Sequence, residues 1–209
     1  MAIIHLIHGL PGSGKTVFAR KLEADTGAVL LNHDAIRTAV CGFDPPKEDF
    51  QEYTKRIHGL IWMLTEKFIA HGVDVILDHG FWTRAERDEA RAHARSIGAE
   101  PRFYRMECSD SMADARVLKR NEASAPGTLY IPPGALDVFR ARFEPMGADE
   151  PSISIRTDWP NQAIEPTSST SSRQAPAAVT PPAAGGAPAV GAAHLNRSPQ
   201  KSLMDRTLT

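Results

Sequence analysis

The chain has 209 residues, 24 of them basic and 25 acidic, for a formal net charge of −1. That balance argues against a generic polyanion binder, which needs clustered positive charge at physiological salt. Two cysteines without a CxxC spacing, Cys41 and Cys108, are too few for a disulfide framework or a cysteine zinc site.

No apolar run approaches the ~18 residues of a membrane span. The opening Met-Ala-Ile-Ile-His-Leu-Ile-His has neither the basic region nor the cleavage site of a signal peptide, so the expected compartment is the cytoplasm, with no membrane partner.

Along the chain, short β-prone runs alternate with longer helical patterns, as in a parallel sheet with crossover helices. The first strand is expected at Ile3–Ile7, followed by a helix at Lys15–Asp25 and a second strand at Ala28–Leu31. A long helix is expected over 50–70, where Ile57, Leu60, Ile61, Leu64 and Phe68 form one apolar stripe. Then come a strand at Val73–Leu77, a helix at Arg84–Ile97, a strand at Arg102–Met106 and a helix at Met112–Glu122. A helix at Ala135–Phe143 and a strand at Ser152–Arg156 complete a small α/β domain, 1–160, large enough for its own core.

Composition changes after Pro160. Residues 161–209 contain 10 Ala, 6 Pro, 6 Ser, 5 Thr and 3 Gly, and no aromatic residue. Such a stretch has too little apolar surface to offset its ordering entropy, so a disordered tail is expected there. Setting aside its 4 basic and 2 acidic residues leaves the domain with 20 against 23, a charge of −3.

The most specific motif is Gly9-Leu10-Pro11-Gly12-Ser13-Gly14-Lys15-Thr16, which fits G-x-x-x-x-G-K-[ST] at every fixed position. Its glycines let backbone N–H groups converge on phosphate oxygens, and the helix that follows adds its positive end. Lys15 is expected on the β- and γ-phosphates, and the Thr16 hydroxyl on Mg²⁺. The pattern arises by chance about once per hundred proteins, and the strand before and helix after it tighten that further. The glycines at 9, 12 and 14 do not space as a dinucleotide fingerprint.

Asp34 and Arg37 follow the second strand, at the carboxyl edge where open α/β sheets bind ligands. Asp34 can take a proton from an acceptor hydroxyl, or it can simply cap a helix. Arg37 can hold an anionic group. Asp78 ends the Val73-Asp-Val-Ile-Leu run and suits Mg²⁺ through a bridging water, or else a turn before Gly80.

His79 beside it reads as a packed or capping residue. Arg116 and Arg120 share a helix face and can close over a triphosphate, or form a solvated basic face. The Arg84–Ile97 helix mixes signs like an exposed, salt-bridged helix, with Arg84 alone near the sheet edge as an acceptor contact. Residues Cys41–Tyr53 are expected as the outer wall of an acceptor pocket, Tyr53 being a contact or ordinary packing.

In this order, Gly9–Thr16, Asp34-Ala-Ile-Arg37, the strand ending in Asp78 and Arg116/Arg120-Asn121 resemble the AAA-type P-loop kinases grouped with bacteriophage polynucleotide 5′-kinase. Chloramphenicol phosphotransferases and zeta toxins are more distant relatives. The resemblance covers about residues 1–158. It implies a five-stranded parallel sheet of nucleoside-kinase type and transfer from ATP·Mg²⁺ to a hydroxyl. It further implies Asp34 as general base and Arg120 as a lid arginine. A small-molecule acceptor is the leading expectation; a polynucleotide 5′-hydroxyl kinase, or a nucleotide-dependent switch or ATPase, are the alternatives.

Overall fold

The computed structural model describes residues 1–42, 50–123, 130–132 and 134–158. Five strands, β1 (Ile3–His8), β2 (Val29–Asn32), β3 (Val75–Gly80), β4 (Glu100–Glu107) and β5 (Ile153–Arg156), form one sheet. Its order is β2-β3-β1-β4-β5, and every pairing is parallel. The helices are α1 (Lys15–Thr26), α2 (His33–Cys41), α3 (Phe50–Ala70), α4 (Arg84–Ser96), α5 (Asp110–Ala123) and α6 (Ala135–Arg142). This is the expected α/β class. The stretch at 161–209 lies outside the described residues. Among the described residues no helix is long and apolar enough to cross a membrane.

Alternation along the strands sorts side chains to two faces. Ile4, Leu6, Val75 and Leu77 pack with Ile57 and Ile61 of α3 and Ala90 and Ala94 of α4. Ile7 and Ile76 pack on the opposite face with Phe18 and Ala19 of α1. Both faces are covered, which is why the strands read as nearly continuous apolar runs.

Two differences from the sequence-based expectation bear on the site. The third strand begins at Val75, not Val73, because the preceding turn claims the earlier residues. Val73 N–H bonds the Phe68 carbonyl at 3.0 Å, Gly72 N–H bonds Ile69 at 2.9 Å, and Gly72 has a left-handed φ of 75°. Asp78 and His79 therefore belong to the strand. They lie where the register between β1 and β3 slips, since Leu6 pairs with Leu77 but His8 with Gly80. An extra residue there re-aims neighbouring side chains, as bulges do beside binding sites.

The helix α2 begins at His33, and its cap is Asn32, whose side chain accepts the Ala35 N–H at 2.7 Å. Asp34 is thus in the first turn and is not the cap.

The α4 helix corrects a third expectation. Arg87 and Arg91 are buried, not arrayed in solvent. Arg87 donates to both oxygens of buried Glu150 at 2.8 Å each, and Arg91 donates to Glu150 Oε2 at 2.9 Å. Arg87 Nη1 also reaches the Glu144 carbonyl at 2.9 Å. These bonds fasten the segment before β5 onto α4, and the two guanidiniums hold the Glu150 carboxyl well below its ordinary range.

Candidate active site

The phosphate loop joins β1 to α1 at the carboxyl edge of the sheet. Gly9 N–H bonds the Gly80 carbonyl at 3.2 Å, tying the loop to the end of β3. Gly12 has φ 81°, and a Cβ there would collide with the backbone carbonyl of Ala113. Only glycine lets α5 lie so close. Leu10 and Pro11 form the outer turn, in which the Leu10 carbonyl accepts Ser13 N–H at 3.2 Å and Lys15 Nζ at 2.8 Å. Burial lowers the Lys15 pKa, and the fields of Asp78 and Asp34 oppose that shift.

Behind the loop, Arg116 is a brace. Its Nη1 donates to the Gly12 carbonyl at 3.3 Å and Thr157 Oγ1 at 3.1 Å, and its Nη2 to the Thr157 carbonyl at 2.5 Å. Thr157 Oγ1 in turn donates to the Ser13 carbonyl at 2.9 Å. The expectation that Arg116 reaches over the nucleotide is therefore revised: these bonds hold its guanidinium against the loop backbone. No motif singles out Thr157, because it reaches the loop only through the position of β5.

Asp78 Oδ2 accepts the Thr16 hydroxyl at 2.8 Å and the Asn32 amide at 2.5 Å. A hydroxyl and a carboxylate side by side at the end of a phosphate loop are the oxygen donors Mg²⁺ takes, with phosphate and water completing its shell. Among the described residues no three His, Cys, Asp or Glu converge to hold a metal unaided. The donors present fit a metal that arrives with its nucleotide.

Across from the loop, Asp34 lies within electrostatic reach of Lys15, Arg37 and Arg120. Burial raises its pKa, but His33, with Nδ1 3.7 Å from Asp34 Oδ1, outweighs burial together with Arg37 and Lys15. The net shift is downward, so the carboxylate is ionised at neutral pH. Arg120 is half-buried, and burial lowers its pKa against the pull of Asp34. Arg37 is buried on the inner side of α2, one turn after His33.

A cavity of about 640 Å³ is lined in part by His79, which is in electrostatic reach of Asp34 and Lys15. Among the described residues its walls come from α3, the end of β3, α4 and Arg142 of α6. Tyr53 is not among them; the turn of α3 brings Thr54, Lys55 and His58 there instead. Arg84 is also absent from the walls. It pairs with Asp149, Nη2 lying 2.5 Å from Oδ2, and with Asp88, so its expected acceptor role gives way to a surface ion pair. The wall expected from Cys41–Tyr53 falls partly outside the described residues, at 43–49.

A ladder of rings, which no sequence motif announces, also stands here. His79 lies 4.6 Å from His33 and 5.2 Å from His58, stacked on the latter at 20°. Trp62 Nε1–H donates to His58 Nε2 at 3.1 Å. Burial lowers the pKa of His58, and lowers that of His79 to about 3, with His33 adding to both shifts. The signal available beforehand was His58 and Trp62 at i, i+4 on the long helix.

A strand–loop–helix phosphate cradle, an aspartate at the end of the neighbouring strand and a cavity at the carboxyl edge define a P-loop nucleotide-binding protein of kinase fold. The AAA domain family matches residues 4–146, and the chain belongs to it.

Among solved structures, a candidate kinase of Chloroflexus aurantiacus J-10-fl is similar at 19% identity and a TM-score of 0.62, over 76% of this chain and 89% of that one. A gluconokinase of Sinorhizobium meliloti 1021 is similar at 18% identity and 0.51, over 76% and 84%. Kti12 of Chaetomium thermophilum, solved with ADP-AlF3, is similar at 16% and 0.54, over 74% and 89%. No protein of the curated set matches the sequence.

Proposed function

We propose that the protein transfers the γ-phosphoryl group of ATP to a hydroxyl of a small molecule bound in the cavity. The observation that carries this reading is the position of Asp34. Its ionised carboxylate is in electrostatic reach of Lys15 and Arg120 and also of His79, which lines the cavity. A nucleotide switch has no need of a base beside an acceptor pocket.

In this reading Asp34 takes the proton of the acceptor hydroxyl while that oxygen bonds the γ-phosphorus. The bond from the γ-phosphorus to the β–γ bridging oxygen breaks, and ADP departs. Lys15 and Arg120 stabilise the charge spread over the transferring group. Thr16 and Asp78 would hold Mg²⁺, directly or through water, and the ion supplies neutralisation of phosphate charge when bound. Arg116 contributes by holding the loop backbone in shape. The gluconokinase among the similar structures is consistent with a small acceptor.

The test is acceptor-dependent ADP release by the purified chain with Mg·ATP, against hydroxyl compounds and 5′-hydroxyl oligonucleotides. Release stimulated by a small hydroxyl compound supports the reading. Stimulation by oligonucleotides alone moves the acceptor to nucleic acid. ATP hydrolysis that no acceptor accelerates sinks the kinase reading.

A further inference from the structure

The walls of the cavity say what kind of acceptor it takes. Four ring side chains stand together there: His58, Trp62, His79 and Phe81. The indole N–H of Trp62 is spent on His58 Nε2, which fixes His58 as a neutral imidazole with its proton on Nδ1. His79 Nδ1 is buried and has no hydrogen-bond partner among the described residues. Phe81 meets His79 edge-on, with ring centroids 5.4 Å apart, and is the one described non-glycine residue with a positive φ, 46°. Its neighbours hold that conformation: the Phe81 carbonyl accepts His8 Nδ1 at 2.8 Å and Arg87 Nη1 at 3.3 Å. The strain keeps the ring at the cavity wall.

The charges cancel. Lys55 and Arg142 bring two positive groups, and Glu86 and Glu89 two negative ones. With both signs present, an acceptor carrying phosphate or carboxylate gains no net attraction from these walls. Of the remaining polar groups, His58 offers its Nδ1–H, and the Gln51 amide offers both a donor and an acceptor. Hydroxyl groups do the same, and the C–H face of a sugar-like ring suits an aromatic wall.

We infer that the acceptor is an uncharged, polyhydroxylated ring, a sugar or cyclitol, and that His79 hydrogen-bonds one of its hydroxyls beside Asp34. This rests on the kinase reading above and narrows it. His79 is placed for the role by the alternation of β3, on the same face as Leu77. Asp78 turns toward Thr16 and its neighbour His79 toward α3, so one short segment serves metal and acceptor.

The experiment compares kcat/KM of the full chain, with Mg·ATP, for matched acceptors. The set is neutral hexoses, pentoses and cyclitols, the corresponding sugar acids and sugar phosphates, and nucleosides with their monophosphates. The neutral rings are expected to exceed their charged counterparts by ~10-fold or more, the worth of one unpaired buried charge or hydrogen bond. Preference for a charged acceptor or a nucleoside overturns the inference and leaves the kinase reading intact. Absence of acceptor-stimulated ADP release across the whole set overturns both.

With the best acceptor, His79→Leu should lose ~10-fold or more in kcat/KM for that acceptor while KM for ATP holds, and His79→Asn should recover part of the loss. Equal turnover by folded His79→Leu removes the assigned role. Should His79→Leu fail to fold, His79→Asn and His79→Gln decide instead, since parent-like acceptor kinetics in both would remove it too.

Discussion

The phosphate loop is one unbroken stretch, Gly9 to Thr16, whereas the cavity beside it takes its walls from three helices and the end of β3. The first binds with backbone N–H groups whose direction is set by local φ and ψ, so its chemistry is written in consecutive residues. The second binds with side chains, and its chemistry exists only once α3, α4 and β3 have packed.

The sharpest way to break the comparison is Asp34→Asn, at the boundary of the two regions. Turnover should fall by ~10²–10⁴ while ATP affinity barely changes. Asn32 already caps α2, so the fold should not register the substitution. Wild-type turnover in this variant would refute Asp34 as the base.

Second in size is the support behind the cavity wall. Glu150→Ala leaves Arg87 buried without its carboxylate, and unfolding free energy should drop by about 3–5 kcal/mol in a urea melt. A drop below about 1 kcal/mol, the value of an exposed pair, would mean that the Arg87–Glu150–Arg91 group is solvated.

On the other side, Lys15→Ala should reduce phosphoryl transfer by ~10²–10³, the scale of losing one charge-stabilising donor. Circular dichroism and melting should stay close to the parent, because Lys15 Nζ bonds a carbonyl of its own loop, that of Leu10, and ties no distant elements together.

Acid should separate the regions further. Burial lowers His5 and His8 of β1 to about 4. Below their ordinary value of 6.5 the unfolded chain takes up protons that the folded chain refuses, so stability should decline as the pH falls from 6.5 to about 4. Glu150 acts later: its contribution is present above 4.5 and is lost below it as the pH falls toward its depressed value. Melting temperatures measured from pH 7.5 to 4 test this, and a flat profile between 6.5 and 5 would contradict the histidine contribution.

The smallest effect is expected from deleting 161–209, a segment we propose adds nothing to the 1–160 domain. Its composition offers little to bury, and the melting midpoint should move by less than about 4 °C.

Much of the fold was legible beforehand. All five strands and the helices α1 and α3 to α6 begin within two residues of where the sequence pattern put them, because both sheet faces are covered and the strands must be apolar throughout. Where local reading failed, a distant partner had decided the outcome. The spacing of Arg87 and Arg91 looks like a solvent-facing helix until Glu150, 63 positions on from Arg87, arrives beneath it.

Arg84 and Arg116 were candidates for ligands by position, yet Asp149 and the Thr157–Gly12 backbone engage them. Tyr53 lost its place to Thr54 and His58 because the rotation of α3 is fixed by Ile57 and Ile61 packing on the sheet.

By itself the sequence determined the phosphate loop, the alternation of strands and helices, and the candidacy of Asp34 and Asp78, all features written within a few consecutive residues. Which side chains line the cavity depends on how the helices pack on the sheet. His58 and His79 are 21 positions apart in sequence and become stacked neighbours when α3 packs over the end of β3. Backbone-made sites are local because φ and ψ are local. Sites made by side chains from several elements have no address until burial of the core sets how those elements meet.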